Sequence, residues 1–251
     1  RYGLIDLSMS LDQIGPLAKD VESASLLLNV IKGRDEKDPI SYSTKDFSNE
    51  NIKKITIGII KPLANKEIQN LIDKKIEDSI KKFGWDKKLI EIKYIELAVQ
   101  TYYPLVYVEL FSGTRKFDGR RFGKKIDDVA GPELLRRILG GSEISRAEYE
   151  GRYYKKALEV KEFIKKEFER VFKEFDCVIL PSVPRLPHKL GSKISVREMY
   201  SYDVSTTPAN LAGICAVSVP VGEINKIPVG LQIMCNSLEE SKMLSIAREF
   251  E

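Results

Sequence analysis

The chain has 251 residues, 43% hydrophobic and 31% charged, with 41 basic against 37 acidic side chains and a net charge of +4. That length can bury a substantial core as one domain spanning residues 1–251. The apolar runs are strand-sized, well short of the roughly 18 residues a membrane span requires, and a charge this balanced does not by itself point to nucleic acid.

In chain order, the opening Arg1-Tyr2-Gly3-Leu4-Ile5 is not a signal peptide and lacks an initiator Met, so the chain reads as the continuation of something longer. Asp20 is a good N-cap for a helix over 21–31 that ends at Gly33. Residues 34–54 are charged and rich in Ser and Asn, which predicts a surface loop. The run 55–60 is apolar on both faces and predicts a buried strand. Ile68, Leu71, Ile72, Ile76 and Ile80 then recur at helical spacing, giving a helix over 65–83. The alternation in 90–95 predicts a second strand, so that strand, helix and strand form a parallel crossover. A helix follows from Leu97 or Tyr103 to Ser112, then a polar loop over 113–128. Pro132 opens a short helix, with Gly140-Gly141 as its expected stop. A long helix over 146–175, a buried strand over 177–181 and a Pro/Gly-containing loop over 182–199 come next. The chain closes with a helix near 207–212, strands near 216–220 and 229–234, and a helix from Leu238 onward. The pattern predicts an α/β fold with one layered mixed sheet flanked by helices.

Cys177, Cys215 and Cys235 are far apart, each in an apolar strand-like context, and the chain has one histidine, His188, in a Pro-rich loop. Buried thiols are the expectation, and no metal site is assigned. The lysine clusters alternate with acids and read as a solvated surface.

One ordered set of segments carries more information than any element. It comprises Arg1 to Pro16 with Ser10-Leu11-Asp12-Gln13-Ile14-Gly15-Pro16, the pair Tyr102-Tyr103, Phe117-Asp118-Gly119-Arg120-Arg121-Phe122-Gly123, the block 135–140 around Arg136-Arg137-Ile138, and Tyr153 to Ala157. Pro181 and the stretch from Tyr200 to Gln232, including Thr206-Thr207-Pro208-Ala209-Asn210-Leu211-Ala212-Gly213, complete it. Together they resemble the C-terminal part of amidase-signature enzymes. The blocks at 117–123 and 136–138 point within that family to the A subunits of tRNA-dependent amidotransferases.

The resemblance implies an amidase-signature fold, incomplete at its N-terminal side. It implies that the intact protein hydrolyses glutamine to supply ammonia for amidating Glu-tRNA(Gln) or Asp-tRNA(Asn). Catalysis in that family uses a Ser–cis-Ser–Lys triad, with the serines in a Gly/Ser-rich segment that precedes the match to Arg1. No catalytic residue is therefore assigned here, and the chain alone is expected to be inactive. The implied partners are B and C subunits in a cytoplasmic heterotrimer, with glutamine and mischarged tRNA as ligands of the complex. No cofactor is assigned to this chain, since the resemblance places ATP and Mg²⁺ on the partner. The alternatives are a stand-alone amidase of the same superfamily and a non-catalytic assembly module.

The family's glutamine-binding positions match Arg136 for the α-carboxylate and Asp203 for the α-ammonium. A guanidinium fork suits the first and a carboxylate the second. On the residues alone, a salt bridge to Glu133 would equally explain Arg136. Thr206 or Thr207 is expected to cap the helix at Pro208, leaving Asp203 free. Of Tyr102 and Tyr103, one should face the pocket, and Tyr102 is the choice.

Overall fold

The computed structural model describes residues 1–60 and 64–251. Helix α1 (Val21–Ile31) begins at Asp20, whose side chain accepts the Ser23 N–H. Strand β1 (Thr56–Ile60), helix α2 (Lys66–Phe83) and strand β2 (Asp86–Ile90) follow. Asn65 caps α2 by accepting from Ile68 N–H, and Gly84 ends it in the left-handed conformation that glycine adopts without a Cβ clash. β2 runs parallel to β1, from Thr56 opposite Asp86 to Ile60 opposite Ile90, which is the expected crossover.

The strand expected over 90–95 lies earlier, at Asp86–Ile90. β2 is an edge strand with Asp86–Leu89 exposed, so nothing requires its side chains to alternate. The alternation that suggested 90–95 comes from Ile90 and Ile92, which are both buried where the chain turns under the sheet.

Helix α3 (Ala98–Thr114) is continuous through Pro104 and extends past the expected end into Gly113. A single helical turn, α4 (Ile126–Val129), interrupts the polar loop. Helix α5 (Pro132–Ile144) corrects a second expectation, because Gly140 and Gly141 lie inside it. Their role is close packing. A Cβ on Gly140 would fall 2.8 Å from the Tyr107 ring, and one on Gly141 would collide with the Tyr107 carbonyl, so the two glycines let α5 lie against the α3 backbone. Helix α6 (Arg152–Val171) is shorter than the predicted 146–175, starting only after a 3-10 turn at Ala147–Tyr149 and left-handed Gly151.

The remaining elements are β3 (Cys177–Pro181), α7 (Val196–Ser201), α8 (Thr207–Ala212), β4 (Cys215–Ile224), β5 (Ile227–Cys235) and α9 (Glu240–Phe250). α7 is held at its start by a reciprocal capping box between Ser195 and Glu198. β4 and β5 form a tight antiparallel hairpin, longer than the two strands expected, that turns through Asn225 and Lys226 at positive φ.

Among the described residues the strands make one mixed sheet in the order β2-β1-β3-β5-β4, with β3 parallel to β1 and antiparallel to β5. The period-2 pattern of β3 divides the core. Cys177 and Ile179 meet Ile57, Ile233, Ile68, Ile72, Ile76 and Phe250 on one face, with α2 and α9. Val178 and Leu180 meet Leu105, Val106, Ile164, Phe168 and Leu211 on the other, with α3, α6 and α8. Each such side chain contributes roughly 1.5–3 kcal/mol on leaving water. Cys177 and Cys235 are buried and Cys215 is half-buried; burial raises all three thiols, that of Cys215 to about 12. No described helix is long and apolar enough to cross a membrane.

Candidate functional site

The site is assembled from α3, α5, and the segment joining α7 to α8. Tyr103 and Tyr107 are one helical turn apart and therefore project from the same side of α3. The glycine-permitted contact of α5 with α3 brings Arg136 and Arg137 to that side. From the third element come Tyr200, in α7, and Asp203, in a 3-10 turn at Tyr202–Val204. This turn is tied to the sheet by buried Gln232 of β5, whose Nε2 donates to the Ser205 carbonyl at 2.8 Å.

Arg136 is the most heavily bonded group. Its Nε and Nη2 donate to the two carboxylate oxygens of Glu133 at 2.9 and 2.5 Å, a fork-to-fork pair. Its Nη1 donates to the Tyr107 hydroxyl at 2.7 Å, and Nη2 also donates to the Tyr200 hydroxyl. The Tyr107 and Tyr200 hydroxyls bond each other. Hydrogen bonding to Glu133 holds the guanidinium proton more tightly than usual, and the same bond holds the Glu133 carboxyl below its ordinary value. Glu133 also accepts from Arg137 Nε at 2.7 Å. The salt bridge to Glu133 that the residues alone suggest is therefore present, and the same guanidinium also reaches two tyrosine hydroxyls.

Asp203 sits at the other end of a short aromatic stack. The Tyr103 hydroxyl donates to Asp203 Oδ2 at 2.5 Å. The Tyr103 ring lies 3.7 Å from that of Tyr200 at 20°, nearly parallel, and Tyr200 carries the hydroxyl bonded to Arg136. A positive and a negative side chain are thus spaced by two stacked tyrosines. Burial and the Asp203 carboxylate both raise the Tyr103 hydroxyl, so it remains a donor at neutral pH. Tyr102 packs edge-on against Tyr103 and joins the aliphatic core on that face; its hydroxyl is raised mainly by burial. The residue in contact with Asp203 is thus Tyr103.

The expected threonine cap is absent. Thr206 makes no side-chain capping bond, and Thr207 Oγ1 donates backward to the Asp203 carbonyl at 2.9 Å. The threonines fix the Asp203 backbone, and its carboxylate is left to Tyr103. Thr207, Pro208, Ala209, Leu211 and Ala212 are buried, the packing role read for this segment. Sequence reasoning alone misses Tyr107 and Tyr200. The i, i+4 spacing of Tyr103 and Tyr107 is the available signal for one; the other opens the matched stretch from Tyr200 to Gln232, but nothing local gives it a role.

A second polar cluster ties the N-terminal segment to the same helix. Glu109 of α3 is buried and accepts from Ser8 Oγ at 2.8 Å, Ser10 N–H at 2.9 Å, Ser10 Oγ at 2.6 Å and the Tyr154 hydroxyl at 3.1 Å. Burial alone would raise its carboxyl, but these donors outweigh burial and hold it below the ordinary value. Asp12 closes the same loop by accepting from Leu7 N–H and Ser8 N–H.

The sheet order, the core and the positions of the matched segments agree with one family. The Amidase family model matches residues 1–244, and the chain belongs to that family. It is 48% identical, over all of its length, to the A subunit of glutamyl-tRNA(Gln) amidotransferase from Methanocaldococcus jannaschii. It is 42% identical over 99% of its length to the protein of the same name from Methanothermobacter thermautotrophicus. The chain spans 58% and 56% of these two relatives, a little over half of each. Among solved structures it resembles the A subunit of glutamyl-tRNA(Gln) amidotransferase from Thermotoga maritima, with a TM-score of 0.83 and 31% identity, covering 100% of this chain and 55% of that one. A bacterial aryl acylamidase shares the fold at a TM-score of 0.79 and 19% identity, over 94% of this chain and 52% of that one.

Proposed function

We propose that this chain is the glutamine-binding portion of the A subunit of a tRNA-dependent amidotransferase. In the whole protein, Arg136 takes the α-carboxylate of glutamine and Asp203 takes its α-ammonium, so the side-chain amide is presented at a fixed distance from both. What carries the reading is the pairing of a guanidinium and a carboxylate across the Tyr103–Tyr200 stack. A zwitterionic ligand leaving water needs a partner for each charge, and unpaired burial of either would cost several kcal/mol. A plain amide needs neither partner. The relatives at 48% and 42% identity support the same assignment.

The nucleophile that opens the amide is assigned to a Gly/Ser-rich segment outside these residues, with the acyl-enzyme formed there. Released ammonia passes to a B subunit, where ATP and Mg²⁺ activate Glu-tRNA(Gln) or Asp-tRNA(Asn), and a C subunit bridges the two in the cytoplasm. The balanced charge of this chain is consistent with the tRNA contacts lying mainly on the partner.

The test is ammonia release from glutamine, by the chain alone and co-expressed with the N-terminal part of the Methanocaldococcus jannaschii relative. Activity is expected only in the mixture, falling by about 100-fold on Arg136→Ala or Asp203→Ala, the scale of losing one partner of a charge pair. Activity from the chain alone, or a mixture indifferent to both substitutions, would contradict the proposal.

A further inference from the structure

Glu133 occupies the edge of Arg136 that a ligand carboxylate would use. A guanidinium offers two edges for bidentate binding, one made by Nε and Nη2 and the other by Nη1 and Nη2. Both oxygens of Glu133 fill the first edge, at 2.9 and 2.5 Å. The Tyr107 and Tyr200 hydroxyls fill the second. With four of the five N–H donors engaged, a ligand carboxylate therefore cannot bind Arg136 bidentately without removing a partner. Taking the second edge displaces Tyr200, a member of the stack that spaces Arg136 from Asp203. Removing Glu133 breaks nothing else, because Glu133 already holds Arg137 Nε at 2.7 Å and keeps that partner after it leaves Arg136. Its side chain is 44% exposed, so it has room to move.

We propose that Glu133 is an internal competitor for the α-carboxylate site on Arg136, displaced onto Arg137 alone when a ligand carboxylate binds. The inference rests on the reading of Arg136 given under the proposed function. An anionic ligand exchanges one carboxylate for another on Arg136 and leaves Glu133 paired with Arg137. An uncharged amide has nothing to exchange, so Glu133 stays in place and the arginine is not available to orient it. Glu133 thus sets the glutamine affinity below what the Arg136 fork alone would give, and leaves the affinity for an uncharged amide untouched.

Steady-state glutaminase kinetics of the whole protein in its complex would test this. Glutamine would be compared with glutaminamide, whose α-carboxylate is replaced by an uncharged carboxamide. Glu133→Gln should lower KM for glutamine by about two- to five-fold, the range set by losing one partly exposed ion pair, and should not lower KM for glutaminamide. Glu133→Ala should behave in the same direction. A residue that merely braced Arg136 would do the opposite and raise KM for glutamine when replaced. An unchanged or raised KM in both variants, with Arg136→Ala still raising KM strongly, overturns the competitor role and leaves the glutamine site standing. An equal fall on both substrates also overturns it, because the effect would not depend on a ligand carboxylate. If Arg136→Ala leaves KM for glutamine unchanged, the glutamine reading itself fails, and the competitor role with it.

Discussion

On the face of the sheet under α2 and α9, Ile68, Ile72 and Ile76 meet Ile57, Ile179 and Ile233 in aliphatic contact. On the face under α3, α6 and α8 the aliphatic core is just as continuous, but Glu109 is buried beside it, and the tyrosines, Arg136 and Asp203 lie at its margin. The first face is held mainly by buried area, with a few polar ties such as Trp85 Nε1 donating to the Ile52 carbonyl at 2.7 Å. The second depends on named donors and acceptors meeting at fixed distances, where a missing partner costs more than the bond contributed. The candidate site lies at the edge of the second face, so the comparison sets a region that depends on packing beside one that depends on polar geometry.

Four substitutions break the comparison at different points. The largest loss is expected from Ile72→Ala, which empties a site in the aliphatic face that is 1% exposed. Chemical denaturation should show it about 3–4 kcal/mol less stable, since transfer and cavity costs add. A loss under about 1 kcal/mol would mean that this face is more loosely packed than described. Next, Gly141→Ala forces a methyl group onto the Tyr107 carbonyl. We expect a loss of about 2–3 kcal/mol from overpacking, together with weaker glutamine binding in the whole protein, because α5 carries Arg136. Stability lost with binding intact would show that the two helices can separate without moving the site.

Glu109→Gln comes third, at about 2 kcal/mol, from exchanging a charged acceptor for a neutral one among four donors. Its sign with pH follows from the direction of the shift. The folded carboxyl lies below its ordinary 4.5, so the stabilisation is complete above that value and is lost as pH falls through the folded one. The wild-type chain should therefore lose stability below about pH 4.5 more steeply than the Gln variant. Parallel acid limbs for the two proteins would rule out this carboxylate as a source of acid sensitivity. The smallest effect belongs to Tyr103→Phe, which keeps the stack and removes only the hydroxyl bonded to Asp203. About 1 kcal/mol of stability should be lost, and thermal unfolding would measure it.

The same contrast explains how far the sequence can be read. α1, α2 and β3 are legible within a residue or so, because the cap at Asp20, the helical spacing of Ile68, Leu71, Ile72, Ile76 and Ile80, and a continuous apolar run are local signals. β2 is misplaced from sequence because an exposed edge strand leaves no hydrophobic pattern. Gly140-Gly141 misleads because a glycine pair ends a helix in isolation, whereas here a neighbouring helix occupies the space where the Cβ atoms would be. Arg136 and Asp203 stand out through family resemblance and charge chemistry, and the structure brings both to one tyrosine cluster. The links between them are not legible. Tyr107 and Tyr200 are 93 residues apart in the chain, and only the packed fold puts their hydroxyls together.

In the proposed function, Asp203 pairs with the α-ammonium group of an amino-acid amide. The most direct measurement is kcat/KM of the whole protein and its Asp203→Asn variant on glutamine and on 4-carbamoylbutanoate, which is glutamine without its α-amino group. A loss of about 100-fold is expected on glutamine and no comparable loss on the deamino substrate, which has no charge for Asp203 to meet. Equal losses on both substrates would contradict it, and would make Asp203 a structural partner of Tyr103 alone.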